Sequence, residues 1–226
     1  MKKVVLATAL SLCVASAFAA DTAVLKVKGT LTNAACTPEL SNGGVVDYGM
    51  IHLSTLSSST VNQLGHKNID LTINCTSATK VGFSTIDDRS DTKADIAVEK
   101  GNYSGGTESS VPSYKFGLGK TTGDVKIGAY TVFLNLDKVT ADGVLVDSIY
   151  QQYGAGDWTS TATRNTFQDG GIRVMTAAAK DSLEPLAFQT AVFPLTTSVA
   201  IQDTTTLAIT DDTQLDGQIT ISLSYL

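Results

Sequence analysis

The chain has 226 residues, with 22 acidic side chains against 16 basic ones, a net charge of −6 and 42 % hydrophobic residues. That acidic balance leaves nothing basic to grip a phosphate backbone and excludes a nucleic-acid binder. After the N-terminal region no apolar stretch approaches the ~20 residues a membrane-spanning helix needs.

Taken in chain order, Lys2 and Lys3 precede an apolar run from Val4 to Val14, and Ala17 and Ala19 flank Phe18 in an A-x-A pattern. Residues 1–19 therefore read as a secretory signal peptide cut before Ala20. The run is too short to span a bilayer. Cys13 follows Leu12, where a lipid-attachment signal wants a small residue. Residues 20–28, Ala20 to Lys28, follow as an N-terminal extension in which Ala23, Leu25 and Val27 alternate with Val24, Lys26 and Lys28. One face of that extension is apolar. Residues 29–226 are expected to form a single domain.

Without Cys13 the exported chain holds two cysteines, Cys36 and Cys75. An even pair in an oxidising compartment reads as a disulfide. Closing a loop of about forty residues is worth roughly 4 kcal/mol by the chain-entropy model. Period-two alternation of apolar and polar residues, the mark of half-buried strands, recurs through the whole domain. It is clearest at Ile69, Leu71, Ile73 and Cys75; at Val81 and Phe83; at Tyr114, Phe116 and Leu118; at Tyr130, Val132, Leu134 and Leu136; and at Ile219, Ile221, Leu223 and Tyr225. These runs are rich in the β-branched and aromatic residues that strands favour. Turn signals such as Asn42-Gly43-Gly44, Asp142-Gly143, Asp169-Gly170-Gly171 and Asp216-Gly217 separate them. The fold class is all-β, a sandwich or barrel. Residues 175–183, with three successive alanines, are the one stretch suited to a helical turn or two, and suit a loop equally. The polar, Gly/Ser/Thr-rich stretches from Asp87 to Pro112 and from Gln151 to Gly171 read as surface insertions.

No residues assemble into a recognisable catalytic motif. His52 and His66, the two histidines, stand outside any hydrolytic or zinc signature, and no phosphate loop or dinucleotide fingerprint is present. The acidic run Asp87-Asp88-Arg89-Ser90-Asp91 fails as a calcium loop, because Arg89 stands where an oxygen ligand is required and is expected to pair with its acidic neighbours on a solvated turn. Tyr150, Tyr153 and Trp158, with Gln151, Gln152 and Asp157 among them, are the one cluster of aromatic and amide side chains suited to stacking on a sugar. Ordinary packing under a long loop is the alternative.

The start of the exported chain, Lys28-Gly29-Thr30-Leu31-Thr32-Asn33-Ala34-Ala35-Cys36, closely resembles the first strand of chaperone-usher fimbrial (pilin) subunits. Val46-Asp47-Tyr48-Gly49, Leu71-Thr72-Ile73-Asn74-Cys75 and a terminal alternating run with a penultimate Tyr225 extend the resemblance across the domain. The Asp47-Tyr48-Gly49 and Asp87-Asp88-Arg89 stretches look most like the branch called beta-type fimbrial proteins. The resemblance implies an immunoglobulin-like β-sandwich lacking its last strand, completed by a donor strand from another molecule. A periplasmic fimbrial chaperone would lend that strand first. At an outer-membrane usher the extension of the next subunit would replace it, placing the protein on the cell surface in a fimbrium.

By that resemblance Ala23, Leu25 and Val27 are the donor residues, and Ile219, Ile221, Leu223 and Tyr225 line the groove-edge strand that pairs with the chaperone. Two departures stand out: the extension is shorter than in major pilins, and Gly217 lies nearer the terminus. The expected function is a structural or adhesive subunit with no catalysis and no cofactor, whose partners are chaperone, usher, other subunits and a host or surface glycan. The alternative is a free-standing carbohydrate-binding sandwich, or one-domain adhesin, built on Tyr150, Tyr153 and Trp158.

Overall fold

A computed structural model describes Leu25, Val27 and residues 35–226. The proposed signal peptide, Ala23 and most of residues 20–34 lie outside the described residues. Twelve strands are present among the described residues: β1 (Cys36–Leu40), β2 (Asn62–Thr79), β3 (Val81–Asp87), β4 (Phe116–Gly117), β5 (Gly128–Leu134), β6 (Thr140–Ala141), β7 (Val144–Leu145), β8 (Asp147–Gln152), β9 (Ala155–Ser160), β10 (Arg173–Ala178), β11 (Phe188–Ile201) and β12 (Ile219–Tyr225). One short helical turn, α1 (Thr204–Leu207), is capped by Asp203, whose carboxylate accepts from the Thr206 amide.

The strands form two antiparallel sheets. The first runs β1-β2-β11-β5-β4, with β6 attached to β11 and β7 to β6, and the second runs β12-β3-β10-β8-β9. The all-β sandwich expected from the alternation is thus the fold observed. Ile69, Leu71 and Ile73 of β2, Phe193 and Leu195 of β11, Val132 and Leu134 of β5, and Phe83 of β3 meet in one buried core between the sheets. Phe83 packs edge-on against Phe193 at 4.9 Å and tilted against Phe167 at 5.6 Å, which locks the second sheet onto the first.

Three local expectations give way to tertiary packing. The residues 175–183 suited to a helical turn contribute instead to β10, a fully buried strand between β3 and β8, with Met175, Ala177 and Ala178 in the core. Alanine's helix propensity is a few tenths of a kcal/mol, which pairing on both edges overrides. The Asp87 to Pro112 stretch is more than a surface insertion. Residues 94–100 lie over the outer face of the first sheet and bury Val98 against Ala129 and Ala200. Gln63 donates to the Ala97 carbonyl at 3.0 Å, and the Ser198 hydroxyl donates to the Glu99 carbonyl at 2.8 Å. In the second insertion Phe167 enters the core. Arg89 forms its salt bridge with Asp216, far along the chain, at 2.7 Å, and reaches a sequence neighbour through the Asp88 backbone carbonyl, at 3.3 Å, instead of through a carboxylate.

Asp87 ends β3 with its side chain buried and the residue 4 % exposed. One carboxylate oxygen accepts from the Arg89 amide and the other from the Gly117 amide, each at 2.9 Å, so a strand of the second sheet is tied to β4 of the first. Lys93 lies 3.4 Å from the same carboxylate and 3.1 Å from Asp169. Gly117 admits this arrangement because a Cβ there would run into the Arg89 carbonyl.

Burial pushes the Asp87 carboxyl above its ordinary value, more than the amide bonds and Lys93 pull it down. A carboxyl whose pKa is higher folded than unfolded binds its proton more readily in the folded state. Its unfavourable contribution at neutral pH is therefore relieved as pH falls through the folded pKa toward the unfolded value. Comparing urea midpoints of the parent and Asp87→Asn from pH 7 to pH 4 isolates this group. The parent should gain stability relative to the variant over that interval, and a constant difference would mean that Asp87 does not titrate there.

Candidate functional site

Among the described residues, the two sheets end on one side in strands with a neighbour on one edge alone: β1 is paired with β2, and β12 with β3. In an antiparallel pair alternate backbone N–H and C=O groups point away from the partner, so β1 and β12 each present a row of groups on the outer edge. The two edges lie side by side. The amide of Cys36, the first residue of β1, donates to the hydroxyl of Tyr225, the last residue of β12, at 2.9 Å.

Between these edges the core is incompletely covered. Ile219, Ile221 and Leu223 pack against it but stay half-buried, as do Cys36, Leu40, Val46, Tyr48 and Leu64. Tyr225 is 55 % exposed although its hydroxyl is engaged. Cys36 and Cys75 are disulfide-bonded and stand directly opposite each other on β1 and β2, with Cα atoms 4.0 Å apart. The crosslink holds the five-residue edge strand against the eighteen-residue β2.

The Asp47-Tyr48-Gly49 turn supplies a feature the alternation did not signal. Asp47 accepts from the Gly49 amide at 2.7 Å, and Gly49 takes a positive φ of 71°. The turn brings Tyr48 to β2 and β11 of the first sheet, where its hydroxyl meets Thr197 Oγ1 at 2.9 Å and donates to the Gly65 carbonyl at 3.2 Å. Burial pushes the Tyr48 hydroxyl above its ordinary pKa, offset in part by the Thr197 hydrogen bond. Tyr48 is a neutral, half-buried cover on the open side.

Of the three donor residues expected from the sequence, Leu25 and Val27 are 89 % and 90 % exposed, and Ala23 lies outside the described residues. The Tyr150, Tyr153 and Trp158 group does not form one surface. Tyr150 is 6 % exposed and belongs to the core, Tyr153 stands exposed at a positive-φ turn, and Trp158 is half-buried on the edge strand β9. Tyr150 is removed from the expected sugar platform because its side chain belongs to the core cluster between the sheets. Among the described residues no group of three His, Cys, Asp or Glu side chains is placed to hold a metal ion.

The architecture defines a class: a disulfide-pinned β-sandwich with adjacent, singly paired edges on one side. A family profile described as "Protein of unknown function (DUF1120)" matches residues 25–131. The Escherichia coli (strain K12) protein YhcF, described as uncharacterized, is 33 % identical over 93 % of this chain and 93 % of its own length. Protein GltF of the same organism is 31 % identical over 96 % of this chain and 94 % of its own length. The chain belongs to the family of these relatives. The solved structure of the P pilus rod subunit PapA aligns over 90 % of this chain and 99 % of its own, at 14 % identity and a TM-score of 0.39. The fold stands on the strand pairing described above and takes nothing from a likeness of that size.

Tyr225→Phe removes the acceptor of the Cys36 amide and leaves the ring in place. Because the bond is partly solvated, the variant should lose about 0.5–1.5 kcal/mol of stability, and hydrogen exchange should quicken at Cys36 while the β2 amides stay protected. Unchanged exchange at Cys36 would show that the phenol does not join the two edges.

Proposed function

We propose that this protein is a structural or adhesive subunit of a bacterial chaperone-usher fimbria, exported by residues 1–19 and assembled by donor-strand exchange. The observation that carries the reading is the pair of edges β1 and β12, which leave Ile219, Ile221 and Leu223 half-buried over the core. An extended segment laid there gains main-chain hydrogen bonds from an edge and buries alternate side chains, the physics of β-strand addition.

Leu25 and Val27 supply the complementary half. Two large apolar side chains about nine-tenths exposed, one residue apart on an alternating segment, are suited to enter such a groove on another copy. Each contributes roughly 1.5–3 kcal/mol if fully buried there. A periplasmic chaperone would cover the groove first and an outer-membrane usher would oversee the exchange. No cofactor or catalytic group is required. The buried position of Tyr150 counts against the rival free-standing sugar-binding sandwich.

The test uses the exported chain co-produced with its chaperone and usher. Deleting residues 20–28, or replacing Leu25→Asp together with Val27→Asp, should leave a folded, disulfide-bonded subunit that still binds the chaperone. Fibres and detergent-resistant multimers should be lost. Fibre formation by the truncated chain would overturn donation by this segment.

A further inference from the structure

The two insertions meet beside the start of β10 and line a partly open cavity of about 200 Å³, formed by Asn102, Ser104, Glu108, Arg164, Asn165 and Arg173 among others. Arg173, at the start of β10, is 2 % exposed. Its guanidinium lies between two aromatic faces, 5.2 Å from the Tyr114 ring and 4.9 Å from the Tyr150 ring. It donates to the carbonyls of Arg164 at 3.3 Å and Thr166 at 2.5 Å and to the Tyr114 hydroxyl at 3.1 Å. Each of these acceptors is neutral.

Two observations set this arginine apart from a structural one. Its Nε is buried and has no hydrogen-bond partner. Among the described residues no carboxylate lies within ion-pairing distance of the guanidinium, whereas the buried Lys115 reaches Asp95 and two carbonyls. A buried charge ordinarily has a counter-charge, since desolvating it alone costs several kcal/mol. Gln152, directly across the β8–β10 ladder, also has an unpartnered buried oxygen. A bond between the two would satisfy the donor and still leave the charge uncompensated.

Glu108, the carboxylate of the cavity lining, accepts from Asn102 at 2.9 Å. Arg164 is exposed beside the cavity. With Arg164 and Arg173 against Glu108, the cavity carries one excess positive charge. Ser104, Thr163, Asn165 and Thr166 bring hydroxyl and amide groups to it, beside the apolar face of Tyr114.

We propose that this cavity binds a small oxyanion, a carboxylate or sulfate, carried on a hydroxyl-rich ring such as an acidic sugar. The anion supplies the counter-charge that Arg173 lacks, and the hydroxyl and amide groups around it hold the ring's own hydroxyls. The volume suits one ring and not an extended ligand, since drug-sized sites run to ~300–1,000 Å³. The signal was present in the sequence as residues of two separate Gly/Ser/Thr-rich stretches, with no motif to join them to an arginine on a buried strand.

Titration calorimetry and heteronuclear NMR on the complete exported chain, with glucuronate, inorganic sulfate and glucose as probes, test this. Saturable binding of glucuronate, with shifts at Ser104, Asn165 and Arg173 and at least tenfold weaker binding of glucose, is the expected result. Sulfate binding at the same residues without glucuronate binding would assign the oxyanion and overturn the sugar. Arg164→Ala, an exposed change that leaves the core intact, should weaken glucuronate at least fivefold. Arg173→Lys keeps the charge and loses the fork. It should abolish binding, with an unchanged amide spectrum away from the cavity as the control for folding. No binding of either anion, or equal affinity for glucose, would overturn the proposal.

Discussion

Strand β11 is hydrogen-bonded to β2 along one edge and to β5 and β6 along the other. Most of its residues are buried, on both of its faces. Inward, Phe193, Leu195, Val199 and Ile201 belong to the main core. Outward, Ala200 belongs to a second, small cluster, and Thr196 and Ser198 are bonded there. A strand covered on both faces cannot tolerate large residues on each without pushing one layer away. The outward positions are accordingly small, and residues 94–100 lie directly on them. The rest of the molecule depends on that third layer, because it carries the first insertion across the sheet and brings residues 102–108 over Arg173.

Covering is uneven around the sandwich. Toward β4 the gap between the sheets is closed by the Asp87 carboxylate, by Lys93 and by Phe167, which enters from the second insertion. Toward β1 and β12 no comparable plug exists among the described residues, and coverage rests on Tyr48, on half-buried aliphatic side chains and on the single Tyr225 to Cys36 hydrogen bond. Uncovered sheet edges are ordinarily blunted by charge, proline or bulges. Here β12 reads Ile-Thr-Ile-Ser-Leu-Ser-Tyr with no charge at all, a composition that favours pairing with another strand and not avoidance of it.

The edges proposed for assembly and the Arg173 cavity share no residue. Strand addition would draw on backbone groups and apolar burial at β1 and β12, whereas the cavity is organised around the Arg173 guanidinium between the Tyr114 and Tyr150 rings. Under the proposed function, incorporation would use one side of the sandwich and leave the polar insertions free elsewhere. The first insertion is held by bonds within itself, Asn102 to Glu108 and Gly101 to Gly106, and by Tyr103 to Asp137 in the turn after β5.

Local pattern alone determined the all-β class, the inward faces of β2, β5 and β12, and the Cys36–Cys75 pairing. Each rests on period-two alternation or on cysteine count, which act over a few residues or need no geometry. Only the tertiary structure decided that Ala177 and Ala178 lie in a central strand, that Tyr150 leaves the sugar-like cluster for the core, that Arg89 finds Asp216, and that Arg173 sits uncompensated beneath two insertions. Those outcomes depend on which distant segments are brought together. A propensity of a few tenths of a kcal/mol, or a cluster of aromatic letters, cannot outweigh pairing on both edges and burial on both faces.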